Sequence, residues 1–157
     1  MSRSIGSLTI VLVLAGAIVT SSSPAQEQNI QKKDVPKPIL EAFQKAYPKA
    51  TIKGYSKETD QGTVMYEVES VEGKVHRDIT YTADGSLVSI EESLPFSDLP
   101  QPVRDTIARE YPKAKISMCE RVMNGSTTQF EMVIATGKQK YELVLNADGT
   151  VAKKEKK

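Results

Sequence analysis

One cysteine, one histidine and no excess of either charge are what this chain of 157 residues lacks most visibly. With Cys119 alone, no internal disulfide can form, so an exported monomer must be stabilised by packing. Nothing near Cys119 suggests a lowered thiol pKa, and a small buried hydrophobe is its expected role, with a cross-chain disulfide as the alternative. With His76 alone, no zinc set of several histidines and cysteines can assemble. The serine and threonine residues also lack a partnering histidine in a nucleophile elbow, because no Gly-x-Ser-x-Gly occurs. No phosphate-cradling glycine loop is present either, since each glycine outside the first 25 residues, Gly54 excepted, falls at an expected turn. Aromatic residues number nine and sit mostly on expected core stripes, which excludes a stacking platform for single-stranded nucleic acid.

The first 25 residues read as an export signal. Arg3 gives a basic start, Ile5 to Val19 is an apolar run, and Ser23-Pro24-Ala25 supplies small residues for cleavage before Gln26. The run is shorter than the roughly 20 residues that cross a bilayer comfortably; an uncleaved anchor is the alternative. No cysteine stands near the cleavage point, which argues against a lipoprotein. Arg3 is the only charged residue of this segment, so its removal leaves 20 basic and 20 acidic residues. A formal charge of zero draws the mature chain neither to nucleic acid nor to a membrane surface. The expected location is periplasmic or secreted, with no membrane contact after cleavage. Residues 26–33 are polar around Ile30 and read as a flexible leader. The lysines at 153, 154, 156 and 157 read as a solvated last strand and tail.

What the chain does contain is a repeat. Tyr47-Pro48-Lys49-Ala50 returns 64 residues later as Tyr111-Pro112-Lys113-Ala114, and residues 34–93 align with 98–157 without a gap. Of 60 aligned positions, 16 are identical, and they include the Pro, Gly and Asp punctuation: Asp34/Asp98, Pro36/Pro100, Pro38/Pro102, Gly73/Gly137 and Ala83-Asp84-Gly85/Ala147-Asp148-Gly149. A fixed period of this size marks one supersecondary unit used twice. Such a unit buries too little surface to be stable alone, so the two are expected to share a core and form one structural domain.

Within each unit the pattern changes from helical to extended. Asp34 offers an N-cap carboxylate, Pro36 and Pro38 suit a first helical turn, and Val35, Ile39, Phe43 and Tyr47 form one apolar stripe. Pro48 ends that helix after about ten residues. Four short strands are expected next: 51–59, 63–71, 74–82 and 86–91, with turns at Asp60-Gln61-Gly62, Glu72-Gly73 and Ala83-Asp84-Gly85. Asp98, Leu99, Val103, Ile107 and Tyr111 open the second unit in the same way, and Ser93 to Ser97 links the two. The predicted fold class is α+β, a tandem repeat of a helix plus a four-stranded antiparallel meander.

Alternation places Glu67, Glu69, His76 and Asp78 on the face opposite the core stripe of the first unit, as a water-facing set. Glu67, Glu91 and Glu92 are likewise read as solvated. In the second unit the same face carries Val133 and Val144, which either pack within the chain or offer an apolar spot to a partner. No catalytic residue, metal or cofactor is assigned. His76 and Asp78 share a face and could touch an ion weakly, without further histidine or cysteine ligands.

The ordered combination of Pro-x-Pro opening a helix, Tyr-Pro-Lys-Ala closing it, Tyr66-Glu67-Val68, Gly-Lys and Ala-Asp-Gly resembles the PepSY-like family of bacterial exported proteins, also described as β-lactamase-inhibitor-like. The second unit keeps the pattern with Phe130-Glu131-Met132. The resemblance implies a fold like that of the β-lactamase inhibitory protein, with helices on one sheet face and the other face concave and free. It implies an exported binding module with a protein partner, an inhibitor or regulator of a peptidase or other hydrolase, and no enzyme activity. The alternative is a periplasmic small-ligand or metal-ion binding protein using His76, Asp78 and nearby glutamates. Partner identity, oligomeric state and whether the units make one sheet or two stay open at this stage.

Overall fold

The computed structural model describes residues 26–60 and 62–157. The export signal expected over 1–25 and the turn residue Gln61 lie outside the described residues. The strands are β1 (Gln26–Asn29), β2 (Thr51–Asp60), β3 (Thr63–Glu72), β4 (Val75–Thr82), β5 (Leu87–Ser93), β6 (Lys115–Asn124), β7 (Thr127–Thr136), β8 (Gln139–Asn146) and β9 (Val151–Lys156). The helices are α1 (Lys37–Ala46) and α2 (Gln101–Glu110), each preceded by a 3-10 turn, Lys32–Asp34 and Phe96–Asp98.

Among the described residues nine strands form one antiparallel sheet in sequence order, so each of them pairs with its neighbour in the chain. The order 3-10 turn, helix, four strands occurs twice. A register shift between Ile52 and Gly54 has its counterpart between Ile116 and Met118. The halves meet where Ser89–Ser93 of β5 pairs with Glu120–Asn124 of β6.

Each helix is set by the residues around it. Pro36 and Pro100 stand at the N-caps with Pro38 and Pro102 in the first turn, where the missing N–H has no helical partner to lose. Tyr47 and Tyr111 cap the other end, donating their N–H groups to Phe43 and Ile107 at 2.8 and 2.9 Å, and the following prolines prevent continuation. Asp34 does not cap α1. It closes the preceding 3-10 turn instead, its carboxylate accepting from the Gln31 N–H, because Pro36 directs the helix to start three residues later.

The leader expectation is corrected as well. Residues 26–29 are a strand, paired antiparallel with Ser56–Thr59. The exposed side chains of residues 27–29 give β1 no alternation to read, and the strand is held by the backbone groups that β2 would otherwise leave open.

The apolar residues form two clusters, not one. Val35, Ile39 and Phe43 pack on Val68, Ile79 and Tyr81; Leu99, Val103 and Ile107 pack on Phe130, Met132, Ile134, Leu143 and Leu145. The row Arg77, Glu92, Arg121, Phe130 runs directly across β4 to β7, so both clusters lie on the same sheet face. What separates them is charge. Glu92 accepts from Arg77 Nε and from Arg121 at 2.6 Å each, and the Arg77 guanidinium lies 5.2 Å from the centre of the Tyr47 ring. The expectation of a shared core fails for that reason: the two stripes sit side by side with a salt-bridged seam between them. Cys119 is half-buried against the second cluster, and burial pushes its thiol up to about 11, in keeping with a packing role.

Candidate functional site

Among the described residues, no helix lies on the other face of the sheet. Strand alternation puts Glu67 and Glu69 of β3, His76 and Asp78 of β4, Ser89 and Glu91 of β5, Glu120 of β6, Glu131 and Val133 of β7, and Glu142 and Val144 of β8 on it together. All six residues singled out in the sequence therefore do share one open face. His76 is exposed and Asp78 lies two residues along from it, as the alternation requires.

The register sets acidic residues directly against each other. Glu69 pairs with Asp78, Asp78 with Glu91, Glu120 with Glu131, and Glu142 with Glu155. Like charges in such positions are destabilising. Glu142 is relieved by Lys157 at 2.9 Å and Lys153 at 3.5 Å. Among the described residues, no salt bridge reaches Glu67, Glu69, Asp78, Glu91, Glu120 or Glu131.

These carboxyls are not the solvated set that the sequence suggested. Glu91 is 7% exposed and Glu131 is 5% exposed, while Glu67 and Asp78 are half-buried. Desolvation, with the repulsion of Glu120, Glu131, Glu67 and Asp78, pushes Glu91 up to about 9. Desolvation also leads for Glu67, raised to about 8 with Asp78, Glu27, Glu69 and Glu58 contributing. Asp78 rises to about 6 through desolvation and Glu69, against the opposing pull of His76. Glu131 rises to about 7 through desolvation and its neighbours Glu142 and Glu120, held back by Lys157 and Lys153. Glu120 is raised for the same first reason. Glu92, read as solvated too, is on the helix side in the seam described above. Alternation reports which way a side chain faces and says nothing of what flanks it, and here neighbouring strands crowd each position from both sides.

The valines are not a separate apolar spot. Val133 is buried and pairs with Met118 and Glu142; Val144 is half-buried between Glu131 and Lys153. They are interleaved with carboxyls on the same strands. Sequence reasoning read Glu91 as a solvated surface residue and missed Glu120, Glu131 and Glu142 as parts of this surface. The signal was present in the Glu67/Glu131 identity and in Glu142 standing two residues before Val144.

Gly54 makes room for this surface. A Cβ there would lie 3.0 Å from Oε2 of Glu69, so the glutamate lies over the backbone of β2. Chemically the arrangement is a bank of partly protonated carboxyls able to accept or donate hydrogen bonds. It offers no set of ligands for an ion: among the described residues no group of three or more His, Cys, Asp or Glu side chains converges closely enough to hold a metal. Among those residues, too, no helix is long and apolar enough to cross a membrane.

Comparison with known proteins bears on this geometry. The family described as "Putative beta-lactamase-inhibitor-like, PepSY-like" matches residues 23–89 and again residues 64–153, two overlapping segments that fit two copies. A "putative periplasmic" protein from Bacteroides eggerthii is similar in structure, with a TM-score of 0.67 and 17% identity, covering 78% of this chain and 88% of that one. A BLIP-like protein from Bacteroides fragilis is similar with a TM-score of 0.63 and 20% identity, covering 78% and 86%. At such identities the likeness is one of fold. No curated protein matches the chain.

Proposed function

This chain belongs to the beta-lactamase-inhibitor-like, PepSY-like family, and from that premise we propose that it is an exported, non-enzymatic binding module built of two tandem units, 34–93 and 98–157. It docks a protein partner on its open sheet face and restrains or regulates that partner, a peptidase or another hydrolase. The observation that carries this reading is the bare face itself. A sheet with helices on one side exposes the other to whatever binds it, and this one keeps carboxyls opposed on neighbouring strands with, among the described residues, no salt bridge to Glu69, Asp78, Glu91, Glu120 or Glu131. The export signal read in residues 1–25 and the periplasmic description of the Bacteroides eggerthii protein support the location.

The test is capture from envelope extract by immobilised residues 26–157, paired with calorimetry against calcium, magnesium and zinc ions. A stoichiometric protein partner, with heats of ion binding that do not change in His76→Ala, is the expected result. Recovery of no protein, together with specific uptake of an ion or small molecule that His76→Ala abolishes, contradicts the reading.

A further inference from the structure

The chain distributes its cations unevenly over the two faces. On the helix side, Arg77 and Arg121 neutralise Glu92. At the far edge of the open face, Lys153 and Lys157 neutralise Glu142. In the middle of the open face no salt bridge forms among the described residues, and Lys157, Lys153 and His76 act on Glu120, Glu131 and Asp78 only from beyond salt-bridge distance, although Glu69, Asp78 and Glu91 lie on successive strands and Glu120 lies against Glu131. Two further atoms stand out in the same region. Ser89 Oγ, in a residue 2% exposed, and Oε1 of Glu131, in a residue 5% exposed, are buried without a hydrogen-bond partner. Ser89 sits between Thr80 and Asn124, two residues before Glu91 on the same strand and the same face. Buried polar atoms are nearly always satisfied, so two orphans beside an unneutralised carboxyl row mark a place where a donor is missing.

We propose that this middle patch, centred on Ser89, Glu91, Glu120 and Glu131, receives a basic segment of the partner protein. Lys or Arg side chains enter over β4 to β7, donate to Ser89 Oγ and Glu131 Oε1, and lie between the opposed carboxyls, which release their protons to solvent as the cations arrive. The inference rests on the docking reading above and adds the chemistry of the partner.

Spacing favours a polypeptide over an ion. The carboxyls are spread over neighbouring strands about 4.8 Å apart, and among the described residues they converge on no single point that could hold a metal. A strand or loop with basic side chains at alternate positions covers such a row, because its own side chains on one face recur every ~7 Å. Guanidinium groups suit it best, having several donors in a fixed plane for carboxylates.

The experiment follows the amide resonances of isotopically labelled residues 26–157 by NMR. The probe is a short synthetic peptide with arginine at alternate positions. A peptide of equal length with glutamine replacing arginine is the control, and calcium chloride and spermine are added separately. The arginine peptide is expected to shift Ser89, Glu91 and Glu131, to weaken as salt is raised, and to lose about tenfold in affinity in the double variant Glu91→Gln/Glu131→Gln. Glu41→Gln, on the exposed side of α1, should leave binding unchanged. Circular dichroism confirms that the variants are folded. The inference is overturned if the arginine peptide fails to bind, if the glutamine peptide binds as well, or if calcium or spermine saturates those amides where the peptide does not. Envelope capture separates this from failure of docking itself: a protein partner retained unchanged by Glu91→Gln/Glu131→Gln leaves docking standing and removes the basic segment.

Discussion

Glu91 shows what a single residue contributes to this surface. Its carboxyl is buried, faces Asp78 and Val122 across the strands, and is raised to about 9 from an ordinary 4.5. Glu67 and Glu131 are raised likewise, to about 8 and 7. The charged groups around them on the open face are Glu27, Glu58, Glu69, His76, Asp78, Glu120, Glu142, Lys153 and Lys157. A group whose folded pKa exceeds its unfolded value holds a proton that the unfolded chain has lost. Its contribution is therefore complete below pH 4.5 and is lost as pH rises toward 9. The melting temperature should accordingly fall between pH 5 and pH 8. Glu91→Gln should flatten that fall, gaining about 1–2 kcal/mol at pH 8 and little at pH 5, as thermal unfolding followed by circular dichroism will show. An unchanged slope would mean that the residue is solvated. In the sequence its orientation was legible, because Ser89 and Glu91 alternate with Ile90. Its burial was not, because depth depends on strands that are distant in the chain.

At the scale of elements, the duplicated Ala-Asp-Gly turns were legible as turns, and the structure adds what they rest on. Gly85 and Gly149 take φ of +86° and +85°, and a Cβ on them would fall 2.8 Å and 2.5 Å from the carbonyl oxygens of Pro38 and Pro102. Each turn thus sits on the first turn of its helix, and Thr106 Oγ1 donates to the Gly149 carbonyl at 2.8 Å. A turn that only reversed the chain would tolerate alanine at about 1–2 kcal/mol, the usual cost of a left-handed residue. Gly137 is such a turn, with open space around it. Gly149→Ala should cost clearly more than Gly137→Ala, by about 2 kcal/mol beyond it, measured by urea unfolding. Equal costs would show that the turn does not press on the helix. The helices themselves were legible from Pro-x-Pro, the four-residue apolar stripe and Tyr-Pro. Strand β1 was not, since an edge strand of Gln, Glu and Asn carries no periodic signal and is defined by its pairing with β2.

For the whole molecule, the two helices and the eight strands β2 to β9 followed from the repeat, while β1 and the joint arrangement of the units did not. The apolar stripes suggested one shared core. The structure keeps two, joined by a continuous sheet and by the seam of Arg77, Glu92 and Arg121. Arg77 stood on the expected core stripe of β4, yet its carboxylate partner lies 15 residues away and the second arginine 29 residues beyond that carboxylate. No local pattern links three such positions. Glu92→Gln would leave two guanidinium groups facing each other across the seam and should cost about 1–3 kcal/mol, allowing for partial exposure of Arg121. Urea unfolding measures it, and a neutral substitution would make the seam incidental. The account depends most on the open face being where a partner binds. Photo-cross-linking residues placed in turn at His76, on that face, and at Lys45, on the outside of α1, address this directly in envelope extract. The account predicts a discrete protein adduct from position 76 and none from position 45; adducts from position 45 alone would contradict it.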